Sequence, residues 1–123
     1  MVRLDRKIRL YYMDTEQTDD GNIRVKKYLN KDENTMINAN FRSLSSSEMQ
    51  TDNQLGFVTT AQIEINRRNI QEGYFIEMTR PLYGTETYRV EYYDPFADRK
   101  RVRYRIRCRL VKAEPYDEVR YDQ

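Results

Sequence analysis

Apolar and polar residues alternate in short runs along most of this chain, and the alternation is cleanest near its end. Residues 101–109 place Arg101, Arg103, Arg105, Arg107 and Arg109 in turn with Val102, Tyr104, Ile106 and Cys108. A period of two is that of a half-buried β-strand, because successive side chains point to opposite faces; a helix would scatter the arginines around its axis. One face of this strand must meet a core, while the other presents guanidinium groups about 6.7 Å apart. Five unpaired charges cannot lie in a dry interior. That face is therefore solvated, ion-paired, or pressed against a polyanion or a partner protein.

The same period recurs upstream. Leu4, Ile8, Leu10 and Tyr12 predict a first strand over about 4–13. Asp19-Asp20-Gly21-Asn22 is a turn signal, since glycine accepts positive φ freely. Ile23, Val25 and Lys27 share a face of a second strand ending near Leu29, and Lys31-Asp32-Glu33-Asn34 is a polar turn. Ile37, Ala39 and Phe41 make a third strand. Further strands are carried by Phe57 to Ile65, by Tyr74, Ile76 and Met78 as far as Pro81, and by Tyr88, Val90 and Tyr92 with Tyr93 on the opposite face. Asp94-Pro95-Phe96-Ala97-Asp98 is expected to be a hairpin connection into the arginine strand.

One stretch breaks the alternation. Ser45-Ser46-Ser47-Glu48 fits a capping box, with Ser45 as N-cap and Glu48 three residues on, and Gly56 can end the helix that this box opens. A short helix over about 46–55 is predicted, with Met49 and Leu55 turned inward. The fold class expected is all-β: a small antiparallel β-barrel or sandwich with one short helix inserted between strands. Residues 1–112 form a single domain in this reading, and the tail 113–123, with Pro115 and alternating charges, is loosely attached.

Composition narrows the function. In 123 residues, charged side chains make up 34% and the chain still carries 11 Tyr and 4 Phe, so a thin core under a large polar surface is expected rather than disorder. The net charge of +2 does not announce a nucleic-acid binder, so any electrostatic argument rests on local clustering. A single cysteine excludes an internal disulfide or a cysteine metal cluster and suggests a reducing compartment. No apolar run approaches a membrane span and the first residues lack a signal core, so neither a membrane nor that secretion route is expected.

There is no histidine, which rules out histidine bases, His-containing nucleophilic sites and His-ligated zinc. The four glycines are isolated at turns, so no phosphate loop is present. Neither an enzymatic role nor a cofactor is expected. For the arginine face three readings stay open. It pairs across strands with Glu91, Glu77 or Glu64 at about 0.2–1 kcal/mol each; it forms a protein interface, where Arg and Tyr are enriched; or it meets nucleic acid.

The order of elements resembles that of phage head-closure proteins, the head–tail connectors or adaptors of long-tailed phages. The resemblance runs over about residues 4–112. It is carried by Leu4-Asp5-Arg6-Lys7-Ile8-Arg9-Leu10, the Asp20-Gly21 turn, and Ala39-Asn40-Phe41 leading to the Ser45-Ser46-Ser47-Glu48 helix. Ile63-Glu64-Ile65-Asn66-Arg67-Arg68, a Gly73 turn and the hairpin from Tyr88-Arg89-Val90-Glu91 into Arg103-Tyr104-Arg105 complete it. Asn38 stands where many members carry tryptophan.

The resemblance implies a β-barrel that assembles from a monomer into a homo-oligomeric ring in the virion, below the portal or adaptor protein. The ring would dock a tail or tail-completion protein and lie on the path of phage DNA, after assembly in the host cytoplasm. On this basis Arg101, Arg103, Arg105, Arg107, Arg109, Arg67, Arg68 and Tyr93 are interface or channel candidates. In one branch of the family the insertion between barrel strands closes the channel. The matching segment, 44–57, makes Ser45, Ser46, Ser47, Glu48, Met49, Gln50, Asp52 and Gln54 candidates for gating or docking, with a static helix favoured. The alternative from another class is a small β-barrel nucleic-acid-binding protein.

Overall fold

The alternating segments hydrogen-bond into one eight-stranded sheet that closes partly into a ring. The computed structural model describes residues 4–29 and 36–121, so the turn expected at 31–34 lies outside the described residues. The elements are β1 (Arg6–Gln17), β2 (Ile23–Leu29), β3 (Ile37–Ser43), α1 (Ser46–Gln54), β4 (Ala61–Asn66), β5 (Phe75–Arg80), β6 (Gly84–Asp98), β7 (Arg101–Val111) and β8 (Glu118–Tyr121). Their order in the sheet is β3-β4-β7-β6-β5-β1-β2-β8. The first three residues of β1 also pair with β3, matching Arg6 to Ala39, Lys7 to Asn38 and Ile8 to Ile37. That pairing joins the two ends of a six-strand wall.

β1 is therefore shared. Ile8 to Tyr11 pair with β5, and Tyr11 to Gln17 pair with β2, so the second half of β1 leaves the barrel as a hairpin arm with β2. Gly21, at φ +84°, turns that hairpin. β8 adds to the arm in parallel with β2. The tail expected to be loose is thus corrected at its end. Asp117 bridges to Val25 with its own N–H and, through Oδ2, with the Val25 N–H, both at 2.8 Å, and this seats β8.

The core lies inside the ring. Ile8, Ile63, Ile65, Ile76, Met78, Val90, Ile106 and Cys108 are fully buried. A smaller cluster of Tyr11, Leu29 and Phe75 sits where the arm leaves, with the Tyr11 and Phe75 rings stacked at 5.1 Å.

Several boundaries differ from the sequence reading for physical reasons. β4 starts at Ala61 rather than Phe57, and Ala61 to Ile65 are buried on both faces. Its polar face, Gln62 and Glu64, lies under long side chains instead of in water. Residues 94–98 are not the hairpin connection but the end of β6; the turn is at Arg99-Lys100, where Arg99 takes φ +59°. Pro95 pairs in register with Tyr104 in this stretch, whose other side, among the described residues, has no strand beyond the Phe75–Arg89 match. A bulge between Val90 and Tyr92 adds one residue to β6. It reverses the faces downstream, so Tyr93 is opposite Ile106, packs on the core and donates from its hydroxyl to the Ile70 carbonyl at 3.1 Å. Tyr93 is accordingly not the outward interface residue the alternation suggested. Leu55 is 68% exposed and Val102 44% exposed, because both lie beyond the ends of the packed core.

Cys108 has no exposed surface, and burial, with the Glu91 charge, pushes its thiol up to about 12. Native protein mixed with a thiol-reactive chromogen is expected to release colour only at its unfolding rate. Rapid reaction without denaturant would mean that the apolar face of β7 is open.

Candidate functional site

The polar face of β7 is built from arginines that meet carboxylates within the chain. Arg103 lies 3.4 Å from Asp98, Arg105 3.9 Å from Glu64, and Arg109 3.2 Å from Glu91. Cross-strand pairing thus accounts for much of the stripe, with Glu64 and Glu91 in the places the sequence suggested. Glu77 does not join it. It is paired with Lys27, whose Nζ also lies 4.4 Å from the centre of the Tyr11 ring.

Arg107 is the centre of the arrangement. Its Nη1 donates to Asp52 at 3.0 Å, its Nη2 to Glu48 at 3.3 Å and its Nε to Gln62 Oε1 at 2.9 Å. Asp52 and Glu48 are four residues apart on α1, so a helix places both on one face. Asp52 is only 2% exposed and also accepts from the Thr59 hydroxyl at 2.6 Å and the Tyr92 hydroxyl at 2.6 Å. Glu48 takes two further bonds from Arg42, at 2.8 and 2.6 Å, and accepts the Ser45 N–H at 3.1 Å. The capping box is complete, with Ser45 Oγ accepting from the Glu48 N–H. The sole buried residue of α1 is a carboxylate, so its seat on the barrel is ionic. Phe57 then packs on Tyr92, ring centres 4.7 Å apart, and fixes the chain as it leaves the helix.

The electrostatics follow from this geometry. Burial pushes the Asp52 carboxyl up, but donation from Thr59 and Tyr92 and the Arg107 charge outweigh it, leaving the group below the usual carboxylate range. Arg42, helped by the capping N–H of Ser45, holds Glu48 well below that range. Burial and donation to Asp52 push the Tyr92 phenol up to about 12. Every carboxylate around Arg107 is held ionised. Such a cluster clamps a helix to a sheet. Among the described residues, no group of three or more His, Cys, Asp or Glu could hold a metal ion.

The other candidates divide into two groups. Ser46, Ser47, Gln50 and Gln54 face solvent on α1, while Met49 is only half-buried rather than turned fully inward. Arg67, Arg68 and Arg101 are exposed at the end of the barrel that carries the β6–β7 turn, where the Arg67 N–H donates to the Val102 carbonyl at 3.1 Å. Sequence reasoning missed Arg42, Thr59, Gln62 and Tyr92 as members of the clamp. The Glu48/Asp52 spacing opposite an arginine strand was the available signal for it.

No known protein-family model matches this chain, and no curated protein matches it. Its structure is similar to the solution structure of protein SF1141 from Shigella flexneri 2a. The TM-score is 0.64 at 23% identity, over 88% of this chain and 93% of that one. The likeness is one of fold.

Replacing Asp52 with Ala would leave Arg107 with Glu48 and Gln62 alone and take the acceptor from the Thr59 and Tyr92 hydroxyls, and a loss of about 1–3 kcal/mol is expected in urea unfolding. The double variant Asp52→Ala with Arg107→Met should lose less than the two single losses added. Additive losses would show that the two groups do not act as a pair. Because the native Asp52 and Glu48 carboxyls are depressed, their contribution is fully present above about pH 4 and is lost as pH falls through the native values. Urea midpoints are expected to be level near neutrality and to drop on acidification, with a shallower drop in Asp52→Ala.

Proposed function

We propose that this chain is a non-catalytic structural subunit of a phage head–tail connector. Identical copies form a closed ring below the portal or adaptor, on the path of the genome, and the ring docks the tail or its completion protein. The observation that carries this reading is a partly closed barrel with a box-capped helix seated between β3 and β4, in the element order on which the family resemblance rests.

The clamp bears on how the 44–57 segment works in that ring. For the segment to swing into a channel, Asp52 must leave Arg107, Thr59 and Tyr92, at a cost of several kcal/mol for parting a buried ion pair. A seated helix that offers Ser46, Ser47, Gln50 and Gln54 to a neighbour is favoured over a gate. The clamp also changes which arginines are available. Arg103 and Arg107 serve the fold, leaving Arg67, Arg68, Arg101 and the half-exposed Arg105 for partners.

The exposed cations at one end of the barrel favour one other reading, that of a β-barrel nucleic-acid binder. Filter retention of DNA at two salt concentrations separates the two, since a binder shows tight and steeply salt-dependent retention. For the connector, deletion of the gene from its phage is expected to yield DNA-filled heads and separate tails. Purified chain added to that lysate should restore joined particles. Normal particles from the deletion would overturn the proposal.

A further inference from the structure

Two hairpin arms leave the same end of the barrel from opposite walls. Within the closed ring, β1 and β7 are separated by two strands on either route, β5 and β6 or β3 and β4. Successive antiparallel pairings through β3 and β4 make β7 run opposite to β1. The tip after β1 and the tip before β7 therefore lie at one end.

Their chemistries are opposite. The β1–β2 tip forms an open hollow of about 800 Å³ around Ile23, with Asp19, Asp20, Asp117 and Glu118 on its rim beside Arg24, and Glu118 is paired with Arg120 at 3.0 Å. Ile23 is 70% exposed, although it begins a strand whose far end is core. Asp20 is held in place by the Thr18 hydroxyl and by Asn22, whose Nδ2 donates at 3.0 Å. At the other tip, Arg99, Lys100 and Arg101 surround the turn, Arg67 and Arg68 lie on the loop bonded to the Val102 carbonyl, and Val102 is itself exposed. Each tip is an exposed aliphatic side chain with charges mainly of one sign around it: acids outnumber Arg24 on the hollow, and at the basic tip Asp98 is paired with Arg103. That is half of an interface with an apolar centre and a polar rim.

We propose that the two tips are the halves of one contact between copies of this chain: the basic β6–β7 tip, with Val102 at its centre, docks in the acid-rimmed hollow around Ile23 of the next copy. As an account of how copies meet, it rests on the ring reading above. The contact is head-to-tail, so it repeats from copy to copy and ends only by closing. Two hairpin tips bury far less than the roughly 1,600 Å² of a stable pair. Each contact is weak alone and is strengthened when the ring closes.

Mixing a chain carrying Ile23→Cys with a size-tagged chain carrying Val102→Cys tests this directly, because the native Cys108 is buried. Under mild oxidation at low salt the mixed disulfide dimer is expected to form about tenfold faster than either like dimer, a preference that fades at high salt. Adding Arg99→Glu, Lys100→Glu and Arg101→Glu to the Val102→Cys chain should abolish the preference. Adding Asp19→Lys and Asp20→Lys to its partner should then restore it, which a merely misfolded variant would not allow. No preference, one indifferent to charge reversal, or one not restored by the swap overturns the contact. Chains that fail this test yet restore head–tail joining in the add-back assay would sink the contact and leave the connector reading standing.

Discussion

The buried carboxylate of Asp52 and the guanidinium of Arg107 decide how this molecule is put together. A nine-residue helix with no apolar stripe has little hydrophobic reason to sit on a barrel. Taking a carboxylate out of water costs several kcal/mol, and that cost is offset only if its oxygens are filled. Here they are filled by a hydroxyl from the chain after the helix, a phenol from β6 and a guanidinium from β7. The helix is located because three elements must converge for the charge to be tolerated. This makes its position specific in a way that a greasy contact of equal strength would not.

The barrel supplies the frame for that convergence. A six-strand wall closes through only three matched pairs between β1 and β3, yet it brings β4, β7 and β6 side by side. Gln62, Arg107 and Tyr92 then lie in one row across those strands, and the row is the floor on which α1 rests. The bulge at Glu91 is what puts Tyr92 in that row, since without the extra residue Glu91 would face Arg107.

Much of this was legible in the chain. Strict alternation in residues 101–109 gave a strand whose Ile106 and Cys108 are buried, and the Ser45/Glu48 spacing gave the helix cap to the residue. What failed did so where local pattern and tertiary position part company. Val102 has the period of a core residue but lies beyond the core's end. Gln62 belongs to the polar face of β4, yet arginine side chains from β3 and β7 cover it. A bulge leaves no mark in composition, so Tyr93 was placed on the wrong face. The ion-pair partners of Arg107 come from a helix 55 and 59 residues away in sequence, a separation that no local period encodes.

Pro95 has a consequence of its own. It lies in the part of β6 that, among the described residues, has no strand on one side, and a bare strand border is a template on which another polypeptide can stack indefinitely. A ring nitrogen without hydrogen cannot extend such a ladder. Unlimited stacking of that kind would end in fibres, and a single imino acid in the fifteen residues of β6 helps keep such growth out of reach.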